Sequence, residues 1–159
     1  MLEYNFYLIG KLFFEITNCD DRRYKCTFLD GDEELFSAEL GKNEWMSIDR
    51  EYLSNYYVEV RTLDGVLKHK ISFLQYLKGK RVFISLGSSA LGDTIAWAPY
   101  FLEFKKKYQC EVVASTFKNF LIEDAYPEIE FVNPGSEQRV HALIEVGDRK
   151  STRLNSSHV

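Results

Sequence analysis

Eight residues near the middle of the sequence, Gly87-Ser88-Ser89-Ala90-Leu91-Gly92-Asp93-Thr94, combine two glycines, small hydroxyls and a single carboxylate. They follow the continuous apolar run Arg81-Val82-Phe83-Ile84-Ser85-Leu86, and in open α/β sheets ligands bind beyond the carboxyl ends of the strands. An ionised carboxylate there can accept a proton from an incoming hydroxyl, and the positive end of a helix dipole is a favourable place to hold one. The same position suits a plainer role as a helix cap, the Asp93 oxygen accepting the free N–H of Ile95 or Ala96. The residue types leave both readings open.

Familiar motifs fit this loop only in part. The spacing GxxxxG is that of a phosphate-binding loop, but Asp93 stands where lysine is needed and would repel a phosphate by about 4 kcal/mol at about 4 Å in a medium of effective dielectric ~20. The dinucleotide fingerprint needs glycine at position 89, where Ser89 stands, and the nucleophile elbow needs it at position 91, where Leu91 stands. Ser88 and Ser89 can donate hydrogen bonds to a ligand or simply build a tight loop; neither is a nucleophile without a paired base. Trp97, one turn into the following helix, either lines a cleft or packs beside Ala96 and Ala98.

The elements that must position this loop are read from periodicity. Residues 94–108 are long enough for a crossover helix, with a kink or an irregular first turn expected at Pro99. Residues 111–115 and 129–132 read as further strands, 118–125 as a short helix stopped by Pro127, and 141–146 as the start of a fourth strand. The β-α-β-α-β order implies parallel neighbours and right-handed crossovers. Ser115, Thr116 and Asn119 follow the second strand at the same carboxyl edge, as second-tier cleft residues or a cap, and Lys105-Lys106-Lys107 is a solvated helix end.

Before Gly79 the pattern alternates in twos. Residues 56–62 and 66–73 flank Leu63-Asp64-Gly65, and 23–29 and 33–40 flank Asp30-Gly31-Asp32, two hairpin signals because glycine after aspartate accepts positive φ. Residues 12–17 and 44–48 are shorter strand candidates. His69 falls on the apolar side of its strand and reads as a packed histidine. The fold expected is therefore α/β: a β-rich antiparallel domain over residues 1–78, then a Rossmann-like domain over 79–147.

The chain has 159 residues, 45% hydrophobic and 15% aromatic, enough to bury a core. No apolar run approaches the ~20 residues of a membrane span, and the N-terminus lacks a basic region and a cleavage site, so a cytoplasmic location with no membrane partner is expected. The last twelve residues, DRKSTRLNSSHV at 148–159, read as a translated sequencing adapter and are set aside as non-native, which places the end of the native segment near residue 147 and the rest of the natural protein outside this chain. Of the 20 basic and 24 acidic residues, the tail holds three and one, leaving 17 against 23 and a net charge of −6. That balance offers no electrostatic footprint for nucleic acid. Cys19, Cys26 and Cys110 lack metal-ligand spacing and read as reduced thiols.

The run from Gly92 to Tyr100, with Ser88-Ser89-Ala90-Leu91 before it, Phe101-Leu102-Glu103-Phe104-Lys105 after it and the later Tyr126-Pro127-Glu128-Ile129-Glu130-Phe131-Val132, resembles the heptosyltransferase group of glycosyltransferases. It is most similar to the bacterial autotransporter O-heptosyltransferases, which also carry a β-rich N-terminal segment. The resemblance implies the first half of a GT-B enzyme, built of two facing Rossmann-like domains, with the nucleotide sugar ADP-heptose held mainly by the C-terminal one. It implies Asp93 as general base toward a serine hydroxyl of an autotransporter passenger protein, and Ser88, Ser89, Ala90, Leu91, Gly92, Thr94 and Trp97 as substrate-binding residues. It further implies recruitment of the acceptor by the β-rich segment, homo-oligomers, and iron bound through cysteines of the C-terminal half. Cys19, Cys26 and Cys110 inherit no metal role, no cofactor is expected within this chain, and the fragment alone is expected to be inactive. Two other readings remain: an enzyme acting on a lipopolysaccharide core sugar, and a non-catalytic protein-binding module.

Overall fold

The computed structural model describes residues 1–147; the adapter-like tail lies outside the described residues. The chain forms two compact units, Met1–Tyr76 and a second that starts at Leu77.

The first unit is antiparallel. Its strands are β1 (Glu3–Leu8), β2 (Lys11–Asn18), β3 (Tyr24–Asp30), β4 (Glu33–Leu40), β5 (Glu44–Asp49), β6 (Tyr56–Thr62) and β7 (Leu67–Ser72), closed by the single helical turn α1 (Phe73–Tyr76). Strands pair as β1-β2-β5 and as β4-β3-β6-β7. Alternate residues Phe6, Leu8, Leu12, Phe14 and Ile16 are fully buried, as a sheet with one covered face requires. Phe6 is the hub, its ring 4.8 Å from Phe73, 5.8 Å from Phe14 and 6.3 Å from Phe28. Both expected hairpins form, their turns using Gly31 at φ +60° and Gly65 at φ +98°.

His69 corrects the sequence reading. It pairs with the buried Val60 but is itself exposed. Among the described residues its strand ends the sheet, so β7 has a neighbour on one side only, and alternation by itself does not supply a cover.

The second unit is parallel: β8 (Arg81–Leu86), β9 (Glu111–Ser115), β10 (Glu130–Phe131) and β11 (Ala142–Val146), ordered β10-β9-β8-β11. Helix α2 (Leu91–Tyr108) links β8 to β9. Its buried Thr94, Ala98, Phe101 and Phe104 recur at helical spacing, and the Phe101 ring meets Phe131 of β10 edge-on at 6.2 Å. The helix runs through the exposed Pro99, whose missing N–H leaves the Ile95 carbonyl without its usual partner. It begins three residues before the expected position 94.

Residues 118–125 form two short 3-10 turns, Asn119–Leu121 and Glu123–Ala125, in place of the expected helix. The Asn119 side chain explains this locally. Its Oδ1 accepts from the Thr116 N–H and hydroxyl, and its Nδ2 donates to the Val132 carbonyl at 2.8 Å, bonds that compete with helical pairing.

His141 leads into β11, its N–H donating to the Arg81 carbonyl at 2.9 Å. Burial, and then the charge of Lys80, hold its imidazole below the ordinary value of 6.5. As pH falls through 6.5 the unfolded chain takes up this proton before the folded one, so stability is present above that value and declines below it. Urea unfolding between about pH 7.5 and pH 5.5 should therefore show a smaller loss of stability for His141→Gln than for the unaltered chain; an equal loss would assign the pH dependence elsewhere.

Candidate functional site

Where β8 ends, the sheet order reverses. β9 and β10 extend it on one side and β11 on the other, the arrangement that opens a crevice beyond the strand ends. Leu86 and Val146 are paired across this point, and the Gly87 N–H donates to the Val146 carbonyl at 2.9 Å. The loop therefore leaves the sheet from a fixed anchor.

Four residues carry the chain to the helix. Ser88 is half-buried and its hydroxyl accepts the Ala90 N–H at 3.2 Å, so it shapes the loop; Ser89 and Ala90 are exposed. Ala90 occupies the N-cap with extended backbone and no side-chain cap. Leu91, Gly92 and Asp93 follow as the first turn, all exposed. The Thr94 N–H is the first to return to the Ala90 carbonyl, at 3.1 Å, so the N–H groups of Leu91, Gly92 and Asp93 point out of the helix end without intrahelical acceptors.

Asp93 is the third residue of α2, not its cap, and no hydrogen bond or ion pair engages its carboxylate among the described residues. Trp97 lies one turn further on the same flank, half-buried, with its ring edge-on to buried Tyr100 at 5.5 Å. Burial raises the Tyr100 phenol well above its usual range, which keeps it neutral. A free carboxylate, an aromatic wall and open helix N–H groups thus share one edge. Gly92 has open space where a Cβ would project, so a ligand can approach the backbone.

Thr94, expected with the substrate-binding residues, is instead fully buried, and its hydroxyl donates to the Ala90 carbonyl at 3.1 Å. It holds the helix start together and has no surface to offer a ligand. Ser115 and Thr116 are likewise buried, and Thr116 is committed to Asn119.

Gly147, which the sequence reading passed over, belongs to this edge. It follows β11 at φ +83°, and a Cβ there would stand 2.5 Å from Leu86 Cδ1 and 3.7 Å from Ser88 Cβ. A glycine directly after an apolar strand was the available signal. Gly147→Ala should cost about 1–3 kcal/mol through backbone strain and the clash with Leu86, read as a lowered urea midpoint; an unchanged midpoint would show that this contact yields freely.

A second feature of the same edge is a cavity of about 530 Å³ at the ends of β9 and β10, lined by Phe117, Phe120, Phe131 and Asn133 among others. The first unit has a cleft of about 580 Å³ beside Arg22, Arg23, Leu63 and Lys68; its arginines are occupied by Asp20, Glu39 and Glu44.

No family model matches the chain. It is 33% identical over 117 residues to the autotransporter heptosyltransferase Aah of Escherichia coli, which covers 71% of this chain and 29% of that protein. It is 27% identical over 138 residues to the autotransporter heptosyltransferase TibC of enterotoxigenic Escherichia coli, covering 79% and 32%. The chain is a homologue of the autotransporter heptosyltransferases. It spans about a third of the length of these heptosyltransferases. A third relative, 28% identical over 105 residues, covers 65% of this chain and 24% of its own length; it is the inactive autotransporter heptosyltransferase BimC of Burkholderia thailandensis. Two crystal structures of the heptosyltransferase TibC share the fold at a TM-score of 0.63, with 21% and 20% identity, covering 91% and 92% of this chain and 38% of TibC. One is of the iron-containing dodecameric glycosyltransferase, the other of its complex with ADP-D-beta-D-heptose.

The described residues hold no group of three His, Cys, Asp or Glu able to bind a metal. Cys26 and Cys110 lie in different units, and burial raises their thiols to about 12 and about 11. Neither is poised as a thiolate ligand, so these residues do not fit an iron centre.

Proposed function

We propose that the second unit is the acceptor-side part of a Rossmann-like GT-B glycosyltransferase, and that in the whole protein Asp93 is the general base. An acceptor serine of an autotransporter passenger would lie against Asp93; as its oxygen attacks the anomeric carbon of ADP-heptose, the carboxylate takes the hydroxyl proton and ADP leaves with the bonding electrons. The observation that carries this reading is the exposed carboxylate at the third position of α2, free of any structural bond among the described residues. A cap would be engaged; among those residues Asp93 is not.

The strand order supports the fold, since reversal at β8 sets the open helix end beside the crevice. The lack of a lysine in the loop supports placing the sugar diphosphate on another part of the whole protein. Recruitment of the passenger by the β-rich first unit, assembly into homo-oligomers, a cytoplasmic site of action and inactivity of this chain alone belong to the same proposal.

The name of the Burkholderia relative favours one rival, a non-catalytic binding module, because homologues include a protein described as inactive. Intact-mass analysis of an autotransporter adhesin coexpressed with the whole protein separates the two: a transferase adds a ladder of equal increments that Asp93→Asn removes, whereas a binding module adds none.

A further inference from the structure

Helix α2 begins without the devices that usually fasten a helix start. Its N-cap, Ala90, has no side-chain oxygen, and Gly92 in the first turn is the poorest helix former after proline. Further along, Pro99 leaves the Ile95 carbonyl without its backbone partner. The turn that carries the open N–H groups and the Asp93 carboxylate therefore has little intrinsic order, yet a general base acts only within hydrogen-bond reach of the proton it takes.

Thr94 supplies the fastening. Its backbone N–H and its hydroxyl both donate to the Ala90 carbonyl, each at 3.1 Å. From the other side, the Ala90 N–H donates to the Ser88 hydroxyl at 3.2 Å. Leu91, Gly92 and Asp93 span the interval between this clamped residue and Thr94. Thr94 is itself fully buried, at the head of the stripe that continues through Ala98, Phe101 and Phe104, so packing under the helix fixes where the clamp sits.

Stability does not account for a hydroxyl at this position. A threonine bonded to the carbonyl four residues back slightly weakens a helix and often bends it, and burying a hydroxyl gains less than burying a methyl of similar size. Valine has the same shape and meets neither penalty. What the hydroxyl adds is geometric: a second bond to one carbonyl, restricting the turn that bears Asp93.

We propose that Thr94 is a positioning residue: its hydroxyl, acting through the Ala90 carbonyl, fixes the turn that presents the Asp93 carboxylate to the acceptor hydroxyl. This deepens the proposed function and rests on Asp93 being the base. Thr94 itself does not touch the substrate.

Three variants of the whole protein separate the hydroxyl from the methyl: Thr94→Val keeps the shape, Thr94→Ser keeps the hydroxyl, and Thr94→Ala keeps neither. In Thr94→Val the Ala90 carbonyl still accepts the backbone N–H at position 94, so no buried group is orphaned and the urea midpoint should stay at or above that of the unaltered protein. Thr94→Ser loses a buried methyl and should have the lower midpoint. Activity should run the opposite way. Initial rates of transfer to the adhesin should give a kcat about 10- to 100-fold lower for Thr94→Val at unchanged KM, and close to that of the unaltered protein for Thr94→Ser. Backbone hydrogen exchange over residues 91–95 should quicken in Thr94→Val and not in Thr94→Ser. A side chain needed only for packing would make transfer follow the midpoint, with Thr94→Val ahead of Thr94→Ser. That order, or unaltered kcat or exchange in Thr94→Val, overturns the inference. If Thr94→Val fails to fold, Thr94→Ser and Thr94→Ala make the same comparison without the methyl, and equal kcat in these two overturns it. Full transfer by Asp93→Asn overturns the base and this inference together, whereas loss of transfer in Asp93→Asn beside full transfer in Thr94→Val overturns this inference alone.

Discussion

Replacing Asp93 by asparagine in the whole protein should lower sugar transfer by about 10²- to 10⁴-fold while leaving the fold's stability within about 0.5 kcal/mol. The amide matches the carboxylate in size but cannot take a proton from a hydroxyl. Because the Asp93 side chain is exposed and bonded to nothing among the described residues, its loss removes no structural contact. Asp93→Ala sharpens the separation. A cap aspartate replaced by alanine costs about 0.5–2 kcal/mol, but the cap here is Ala90, leaving only the helix-dipole contribution of about 0.3–1 kcal/mol to lose. Transfer is read from the mass ladder on the adhesin, and stability from urea unfolding of the same variants. Full transfer by Asp93→Asn would remove the base from the mechanism, and a large stability loss with Asp93→Ala would restore the cap reading.

The position of Asp93 was legible in the sequence, and its local geometry was not. The apolar run from Arg81 to Leu86 is typical of a strand covered on both faces, which puts the following loop at the ligand edge. The start of α2 was misjudged because Gly92 argues against a helix and Ala90 is a cap without a side-chain signal. Three residues of helix decide between a cap and a free carboxylate. Thr94 follows from the same helix start: once the helix begins at Leu91, its hydroxyl turns inward to the Ala90 carbonyl.

In the first unit, Asp64-Gly65 and Gly31 announced two hairpins through chemistry local to the turn. β1 went unread, although Phe6 and Leu8 are buried core positions, because its aromatic and apolar residues run on without clean alternation. His69 shows the reverse failure. Its pattern was right for a covered face, but cover depends on the rank of β7 in the sheet, which no local period encodes. Asn119 is a third case, where one side chain bonding across thirteen residues to Val132 displaces a helix that composition favoured.

The scaffold's contribution can be isolated at Phe101. It is fully buried at the centre of the stripe that seats α2 on the sheet, and its ring meets Phe131 edge-on. Phe101→Ala should destabilise the chain by about 3–5 kcal/mol, the transfer energy of the ring together with the cavity left behind. Against a typical total of about 5–15 kcal/mol, this lowers the urea midpoint greatly or leaves the unit unfolded. Phe101→Met, closer in volume, should lose roughly half as much or less, and Glu103→Ala, exposed on the same helix, should stay within about 0.5 kcal/mol. Since Asp93 is carried by α2 alone, loosening the seat should raise KM and lower kcat together, whereas Asp93→Asn lowers kcat in a protein of unchanged stability. A midpoint for Phe101→Ala within about 1 kcal/mol of the unaltered chain would mean that the stripe does not anchor the helix, and the position of Asp93 would then need another support.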